Sequence, residues 1–401
     1  MKKASIIILL FILSCSLYSQ EHNLGIMKAA ARLDEGKPSL ALDECNIGLS
    51  SSMDYRLYIL KGKALLGLGK INEAEKAFNL ASQQAPGSGA YGMAYIYSDR
   101  GDYKRAVSSL EIHLRSEYKH SEKHIILDPK FKKLESSGEW KELWSKDWYN
   151  NLENGIAEAE YFSEKGRLDE LADLVEYLGL QYAGNSGMEY IEALYYRSGG
   201  EHKKELEHFR LAIAGKQHSS KEIWRGYIKA LLNAGDYFEA IEASVKALEQ
   251  YPEELDFLLQ KAESLRLSGD RDEAMQTIEL FLEVSPANEN GLFLAGNIAM
   301  EGRNYSTALR YYSSGIKLYP GNPENYISRG DVYSLTSTWE FAIDDYAMAL
   351  DLNPENGYVY YSRASALLKI GKRDDACRNF RMALKHGYKK ASVEINRNCI
   401  R

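Results

Sequence analysis

The sequence lacks the motifs that build the common catalytic and cofactor sites. It contains no GxxxxGK loop, no GxGxxG after a strand, and neither HExxH nor CxxC. We therefore expect no enzyme, no cofactor and no metal site built on those motifs. The chain also lacks a surplus of positive charge, because its formal net charge is −7. A chain of this charge has no general attraction for phosphate backbones, and we expect no nucleic-acid partner.

After the first residues, no apolar run approaches the length of about 20 residues that a membrane-spanning helix needs. The start of the chain is typical of a signal peptide, with Lys2 and Lys3 followed by the apolar run Ala4–Leu13 and the small or polar letters SCSLYSQ. We predict a signal peptide over 1–19, cleavage after Ser19, and export to the periplasm.

An alternative is left open by Cys15. The letters Ile12-Leu13-Ser14-Cys15 resemble a degenerate bacterial lipobox, in which the cysteine is lipidated and becomes the mature N-terminus. Leu13 is a poor match to the small residue usual at that place. The alternative to a soluble periplasmic protein is therefore an outer-membrane lipoprotein, and contact with a membrane is expected only through lipid on Cys15.

Helical periodicity dominates from Leu24 onward, and it repeats with a period near 34 residues. The segments Gly235–Pro252 and Gly269–Pro286 share a glycine, an alanine a few residues later, a helical stretch and a closing proline. The same frame returns at Ala74 and Pro86, Ala308 and Pro320, and Ala342 and Pro354.

This frame resembles the tetratricopeptide repeat family. In that family each unit is a pair of antiparallel helices, with small residues at positions 8, 20 and 27, large ones at positions 4 and 24, and a closing proline. The best-matching units are 55–88, 221–254, 255–288, 289–322, 323–356 and 357–390, and all six have alanine at position 20. The resemblance implies an all-α fold, a right-handed superhelical solenoid of antiparallel helix pairs. One pair cannot bury its apolar face alone, so pairs stack into a continuous core.

Weaker units complete the predicted organisation. Residues 22–54, 87–120, 152–185 and 186–219 keep the spacing, although the last two carry Leu171 and Glu205 at the alanine position. We predict an N-terminal array over 20–120, a helical capping or linker segment over 121–150, a C-terminal array over 151–390 and a cap over 391–401.

The segment 121–150 breaks the frame, and its sequence resembles the Asp-Pro-x-Phe-x-x-Leu stretch that often follows the last repeat of such arrays. Trp140, Trp144 and Trp148 recur at intervals of four and are expected on one helix face. We expect them to seal the first array, with an exposed docking face as the alternative. His113, His120 and His124 are expected to be solvated surface residues.

Three cysteines remain after Cys15. Cys45 is expected to be a free thiol in the core. Cys377 lies on the last repeat's second helix, and Cys399 lies near the end of the final helix. In an oxidising compartment we expect a disulfide between them that fixes the terminal cap and contributes about 3 kcal/mol by closing a loop of roughly 20 residues. Two unpaired thiols are the alternative.

The resemblance also implies where a partner would bind. In the family, side chains of the first helix at positions 2, 5, 9, 12 and 13 line a concave groove. The candidates here are Arg225, Lys229, Phe293, Asn297, Ile327, Asp331, Tyr358 and Tyr361. Chaperone-binding relatives hold a C-terminal carboxylate with basic residues at position 5, but Leu259, Phe293, Ile327 and Tyr361 occupy that position after Arg225, so that clamp is absent. The mixed, partly apolar groove instead predicts a protein partner held as a peptide segment or helix.

The sequence thus predicts a non-enzymatic scaffold or adaptor in the envelope of a Gram-negative bacterium, because the signal ending SLYSQ resembles those of exported proteins of the Bacteroidota. An outer-membrane lipoprotein accessory of a secretion or nutrient-uptake complex is the alternative. An all-α enzyme such as a toroidal glycosidase is a weaker one, since it needs paired catalytic carboxylates and would not need the alanine frame.

Overall fold

The computed structural model describes residues 23–215 and 220–400, and these residues form helices and turns without any strand. The predicted signal segment 1–19 and Cys15 lie outside the described residues. Two compact units divide between Phe257 and Leu258, and the frame break at 121–150 lies within the first of them. Within the described ranges, none of the helices combines the length and apolar character required to cross a bilayer.

From residue 23 to residue 215, the first unit forms five helix pairs, interrupted once by the short helices of the segment 121–150. Its helices are α1 (23–34), α2 (Pro38–Ser51), α3 (Tyr55–Gly67), α4 (Ile71–Gln84), α5 (Ala90–Asp99), α6 (Tyr103–Leu114), α7 (Glu122–Ile126), a 3₁₀ turn (Pro129–Phe131), α8 (Gly138–Leu143), α9 (Asn151–Glu164), α10 (Leu168–Tyr182), α11 (Ser186–Ser198) and α12 (His202–Ala214). A further pair follows the undescribed residues 216–219, and its helices are α13 (Lys221–Ala234) and α14 (Tyr237–Gln250).

The second unit contains the remaining pairs and a terminal helix. Its helices are α15 (Asp256–Ser268, which contains the division), α16 (Arg271–Val284), α17 (Glu289–Glu301), α18 (Tyr305–Leu318), α19 (Pro323–Leu335), α20 (Trp339–Leu352), α21 (Gly357–Lys369), α22 (Arg373–Lys385) and α23 (Ala391–Asn398). Within this unit, α17 packs against α18, α19 against α20 and α21 against α22, and neighbouring pairs meet through α16 and α17, α18 and α19, and α20 and α21. The predicted all-α fold of stacked antiparallel helix pairs is confirmed.

One backbone conformation recurs at position 15 of every pair, in the turn between its two helices. The residue there has a left-handed conformation, with φ between 58° and 93°. The backbone N–H of the next residue donates a hydrogen bond to the carbonyl five residues before it, as in a Schellman motif. Glycine occupies the position in Gly36, Gly69, Gly101, Gly166, Gly200, Gly235, Gly269 and Gly371, whereas Arg303 and Ser337 occupy it in two pairs of the second unit. The weaker units therefore share the frame of the strong ones.

The alanine frame marks the close contact between the two helices of a pair. The alanines at position 20 of the six best units are fully buried, at 0% exposure. Nearby, in three of these units, a glycine at position 8 faces an aromatic residue at position 24. A Cβ on Gly296 would lie 2.4 Å from Cε1 of Tyr312, and one on Gly330 would lie 2.8 Å from Cε1 of Tyr346. These glycines permit a helix approach that a larger side chain would prevent.

Two pairs fill position 20 differently. Leu171 is buried there as an ordinary core residue. Glu205 is also buried, and its carboxylate accepts hydrogen bonds from Arg197 Nε at 2.7 Å and pairs with His202 Nδ1 at 3.1 Å. Because a buried carboxylate needs a counter-ion, Arg197 makes this exception to the alanine frame tolerable.

The segment 121–150 closes over the pair α5–α6. Ile125, Phe131, Trp140 and Leu143 are buried with side chains of that pair, as expected of a sealing segment. The prediction that three tryptophans share one helix face is wrong, because α8 ends at Leu143 and Trp148 lies beyond it. Trp148 instead donates from Nε1 to the carbonyl of Leu143 at 2.7 Å, and this bond holds the turn that follows the helix.

The expectation that three histidines are solvated is wrong for His113, which is 1% exposed. Its Nε2 accepts the backbone N–H of His120 at 3.0 Å, and Tyr91 packs on both rings at 4.9 and 4.5 Å. Burial lowers the pKa of His113 to about 4 and that of His120 to about 3. His124 is exposed, as expected.

At the C-terminus, α23 packs on α22 and covers the end of the second unit. The Cα atoms of Cys377 and Cys399 are 5.6 Å apart and the two sulfurs lie in bonding geometry, so the positions suit the predicted disulfide. Cys45 is buried in the first unit and forms no disulfide with any cysteine among residues 23–215 and 220–400, and burial raises the pKa of its thiol to about 12.

Candidate protein-binding surface

The predicted surface residues of the second unit lie on the first helices of consecutive pairs. Asn297 is on α17, Asp331 on α19, and Tyr358 and Tyr361 on α21. Helix α19 contacts both α17 and α21, so the three helices form a continuous row. We call the exposed or half-buried polar and aromatic side chains along this row the helix-A surface. It lies entirely within the second unit.

Position 9 of two successive pairs holds a hydrogen-bond acceptor bound by the aromatic residue at position 24. The hydroxyl of Tyr312 donates to Asn297 Oδ1 at 2.7 Å. One pair later, the hydroxyl of Tyr346 donates to Asp331 Oδ1 at 2.7 Å. These bonds fix the acceptor side chains, so the surface is preorganised before any partner arrives.

Asp331 is the most restrained of these groups. The hydroxyl of Tyr358 lies 3.0 Å from each of its carboxylate oxygens, which links α21 to α19. Burial raises the pKa of Asp331, and the two tyrosine hydroxyls oppose that rise. Burial also raises the pKa of Tyr358 to about 12, so both hydroxyls stay protonated donors at neutral pH.

Aromatic rings extend the surface toward the terminal cap. Tyr388 lies 4.9 Å from Tyr361 and 6.0 Å from Tyr358, measured between ring centroids, and Tyr361 also meets Phe380 edge-on at 5.6 Å. Tyr358 is 39% exposed and Tyr361 is half-buried. Rings of this kind offer a large contact area at low entropic cost.

A charged network borders the other side of the surface. Arg266 on α15 donates to both carboxylate oxygens of Glu263 on its own helix, at 2.7 Å each. It also pairs with Glu301 on α17. Because this arginine is shared by two carboxylates, the edge carries more negative than positive charge.

Two of the predicted partner-binding residues are less accessible than the others. Ile327 is buried against Tyr326 and the α20 core, at 6% exposure, so it supports the surface from beneath and does not present a side chain to a partner. Phe293 is half-buried, and its ring lies 6.0 Å from that of Tyr312.

Arg225 and Lys229 lie on α13 of the first unit. Arg225 pairs with Glu254 and lies 3.5 Å from a carboxylate oxygen of Asp256, so much of its charge is already neutralised. Lys229 is exposed.

Sequence reasoning missed the tyrosines that organise this surface. Tyr312 and Tyr346 were identifiable only as large residues at position 24, a pattern that predicts packing and does not reveal their hydroxyl bonds. Tyr388 occupies the place of the closing proline in the last unit, and that departure was the one available signal for it.

The fold defines this chain as an all-α solenoid of stacked helix pairs. Models described as tetratricopeptide repeat match residues 55–87, 91–123 and 228–289, so these three segments of the chain are similar to tetratricopeptide repeats. Proteins built from such repeats are typically non-enzymatic scaffolds that bind proteins or peptides.

Curated relatives match parts of the chain. Mouse serine/threonine-protein phosphatase 5 is 30% identical over 89 residues, which are 22% of this chain and 18% of the phosphatase. The bovine protein SGT1 homolog is 30% identical over 107 residues, 27% of this chain and 31% of the relative. The chain thus spans less than a third of the length of either protein.

Solved structures are similar to parts or most of the chain. A crystal structure of MamA protein is 23% identical, covers 43% of this chain and 94% of its own, and has a TM-score of 0.38. The crystal structure of the APC/C hetero-tetramer Cut9–Hcn1 is 13% identical, covers 96% of this chain and 98% of its own, and has a TM-score of 0.49.

Proposed function

We propose that this protein is a non-enzymatic scaffold of the bacterial cell envelope that holds a protein segment on its helix-A surface. The observation that carries the proposal is the row of side chains on α17, α19 and α21, where tyrosine hydroxyls fix Asn297 and Asp331 beside exposed rings. Aromatic anchors with fixed polar neighbours are typical of protein-binding sites.

The chemistry of the surface favours a segment that carries positive charge. Asp331 and the shared Glu263 and Glu301 are acceptors, Tyr358 lies beside Asp331, and both Tyr358 and Tyr361 lie against Tyr388. A lysine or arginine of the partner could pair with the carboxylate while its stem lies against the rings. We therefore propose an extended peptide or a helix with a basic residue at its centre.

Photo-crosslinking tests the location of binding. A photoreactive amino acid placed at Tyr361 of the mature protein, expressed in its own cells, is expected to capture a defined partner identified by mass spectrometry. The same amino acid at Leu384, which is 42% exposed on the second helix of that pair, is the control. Equal capture from both positions would count against the helix-A surface.

Substitution then tests the contribution of individual groups. The double variant Phe293→Ala with Tyr361→Ala is expected to weaken binding of the captured segment at least tenfold, because hot-spot aromatics each cost more than about 1.4 kcal/mol when truncated. Asp331→Asn is expected to weaken binding of the basic segment more than it weakens binding of the same segment with its basic residue replaced by an uncharged one. Leu384→Ala should leave binding unchanged, and circular dichroism checks that helicity is kept.

The envelope location rests on the signal-peptide pattern of residues 1–19, and Cys15 supports the second candidate, a lipoprotein accessory of an outer-membrane complex. Metabolic labelling with a palmitate analogue distinguishes the two. Labelled protein that loses its label in Cys15→Ser supports the lipoprotein, whereas an unlabelled mature protein beginning after Ser19 supports soluble export.

A further inference from the structure

The pair α11–α12 departs from the repeat frame at several positions that face the contact between its helices. Glu189 stands at position 4, where the six best units carry Tyr58, Trp224, Leu258, Leu292, Tyr326 and Tyr360. Glu192 stands at position 7, and His208 at position 23. Position 7 is basic in four of the six best units, which carry Lys61, Lys261, Arg329 and Arg363 there. The two carboxylates of this pair therefore stand where other units place an apolar or aromatic residue and, most often, a cation.

These three side chains converge on one point. His208 Nδ1 on α12 lies 2.8 Å from Glu189 Oε2 and 3.0 Å from Glu192 Oε2, both on α11. One atom from each residue lies within 4.8 Å of the others. Tyr196 stacks on the imidazole at 5.0 Å and 26°, which restrains the ring plane. The side chains are only 12%, 24% and 20% exposed for Glu189, Glu192 and His208.

The charge at this point is unbalanced. In the pair α19–α20, positions 7 and 23 hold Arg329 and Asp345, whose two-pronged pair at 2.7 and 2.8 Å matches one cation with one carboxylate. At α11–α12 two carboxylates face a single imidazole, which supplies at most one positive charge. Within residues 23–215 and 220–400, no lysine or arginine lies within 4.0 Å of either carboxylate.

We propose that Glu189, Glu192 and His208 form a binding site for a divalent first-row metal ion that joins α11 to α12. Two carboxylate oxygens and one imidazole nitrogen are ligands that such ions accept. The two glutamates are three residues apart on one helix face, and the histidine approaches from the antiparallel helix, so no backbone movement is required to bring the donors together.

The donor types indicate which ion fits. Two carboxylate oxygens and one imidazole nitrogen are suitable ligands for Mn²⁺, Co²⁺ or Ni²⁺, with the remaining positions taken by water, whereas structural zinc sites typically have four ligands from cysteine and histidine.

A protonated imidazole bridging the two carboxylates is the competing explanation of the same distances, and titration calorimetry separates the two. The untagged mature protein, freed of metal by chelator, is titrated with Ni²⁺ and with Mn²⁺. We expect saturable binding of one equivalent. Glu189→Gln and Glu192→Gln should each weaken it at least tenfold, because each removes a charged ligand while keeping the side-chain shape. The control is Glu207→Gln, an exposed carboxylate next to His208, which should leave the affinity unchanged.

Hydrogen exchange of the unmodified protein gives a readout that does not depend on variants. Added Ni²⁺ should slow amide exchange across residues 186–214 and leave residues 289–318 unchanged. The proposal is overturned if no saturable binding occurs, if both glutamine variants bind as tightly as the unmodified protein, or if exchange slows equally in both segments. Tight binding by both glutamine variants, or equal slowing of exchange in both segments, would place the metal elsewhere. Absence of saturable binding would mean that the three side chains form only an ion pair.

Discussion

At the scale of single residues, the turn at position 15 shows how strongly backbone geometry constrains this chain. All ten pairs place a left-handed residue there, and eight of them use glycine. Arg303 and Ser337 adopt φ values of 58° and 60°, where a Cβ crowds the neighbouring carbonyl. These two residues are therefore places where the fold tolerates local strain.

Ser337→Gly is expected to stabilise the second unit by about 0.5–1 kcal/mol, because relief of the left-handed strain exceeds the added flexibility of glycine in the unfolded chain. Ser337 is exposed, so little packing is lost. The free energy of unfolding from urea denaturation measures the effect. The reciprocal change is Gly371→Ser at the same position of the last pair, where no atom lies within 4 Å of the new Cβ. It should destabilise by a similar amount, and two changes of the same sign would contradict the explanation.

Much of the frame could be predicted from residues that repeat, whereas single exceptions could not. The alanines at position 20 and the glycines at position 15 identify the pairs because each has only one physical use there. Glu205 at position 20 appeared to weaken its unit, since its counter-ion Arg197 lies eight residues away and carries no repeat signature. Likewise, nothing in the sequence around Ile327 reveals that its side chain turns into the core, because positions 4 and 5 of a helix straddle the boundary of the buried face.

At the scale of elements, the contact between α5 and α6 couples the stability of the first unit to pH. His113 on α6 is buried against Tyr91 of α5, and burial lowers its pKa to about 4, below the ordinary value of 6.5. Below pH 6.5 the imidazole of His113 is protonated in the unfolded chain but stays neutral in the folded chain, so the free energy of unfolding falls as the pH decreases toward 4. The half-buried carboxylate of Asp128 accepts a hydrogen bond from the hydroxyl of Tyr91 at 2.7 Å and so lies beside the same rings.

Lowering the pH from 7 to 5 should cost the first unit about 2 kcal/mol through His113 alone. His113→Gln keeps an acceptor but cannot titrate, so the difference in unfolding free energy between the two pH values should shrink by that amount. His202→Gln is the matched control, since the His202 side chain is 69% exposed. An unchanged pH difference in His113→Gln would show that other groups account for the acid sensitivity.

The terminal cap is the second element whose stability can be separated from the rest. Helix α23 covers Ala383 and Phe380 of the last pair, and the sequence separation between Cys377 and Cys399 is 22. If the two thiols are joined, Cys399→Ser should destabilise the second unit by about 3 kcal/mol under oxidising conditions and by little after reduction.

Mass spectrometry of non-reduced peptides checks the bond directly. Alkylation of the denatured, unreduced protein should modify Cys45 but neither Cys377 nor Cys399. Cys45→Ser serves as a control for the stability measurement, because Cys45 lies in the first unit. The change in unfolding free energy that this substitution causes should be the same with and without reductant. Free alkylated Cys377 in exported protein would contradict the predicted bond.

At the scale of the whole molecule, stability is distributed along the chain. The cores of the second unit are formed by neighbouring pairs, with Val332 of α19 packed on α17 and α18, and Val359 of α21 packed with the α19–α20 core. Because each pair contacts only its neighbours, a fragment that begins at a pair boundary keeps nearly all of its contacts. A fragment that begins inside a pair leaves one helix without the partner that covers its apolar face.

A fragment of residues 289–401 should therefore fold, since it contains three complete pairs and the terminal cap. A fragment of residues 305–401, which lacks only α17, should lose far more than its share of stability, because Ala308 and Tyr312 on α18 would be exposed where Gly296 and Ala299 covered them. Urea unfolding monitored by circular dichroism compares the two, with limited proteolysis locating the unfolded helix. Equal stability per residue in both fragments would mean that the helices do not act as pairs, and the repeat frame on which the proposed surface depends would then be misplaced.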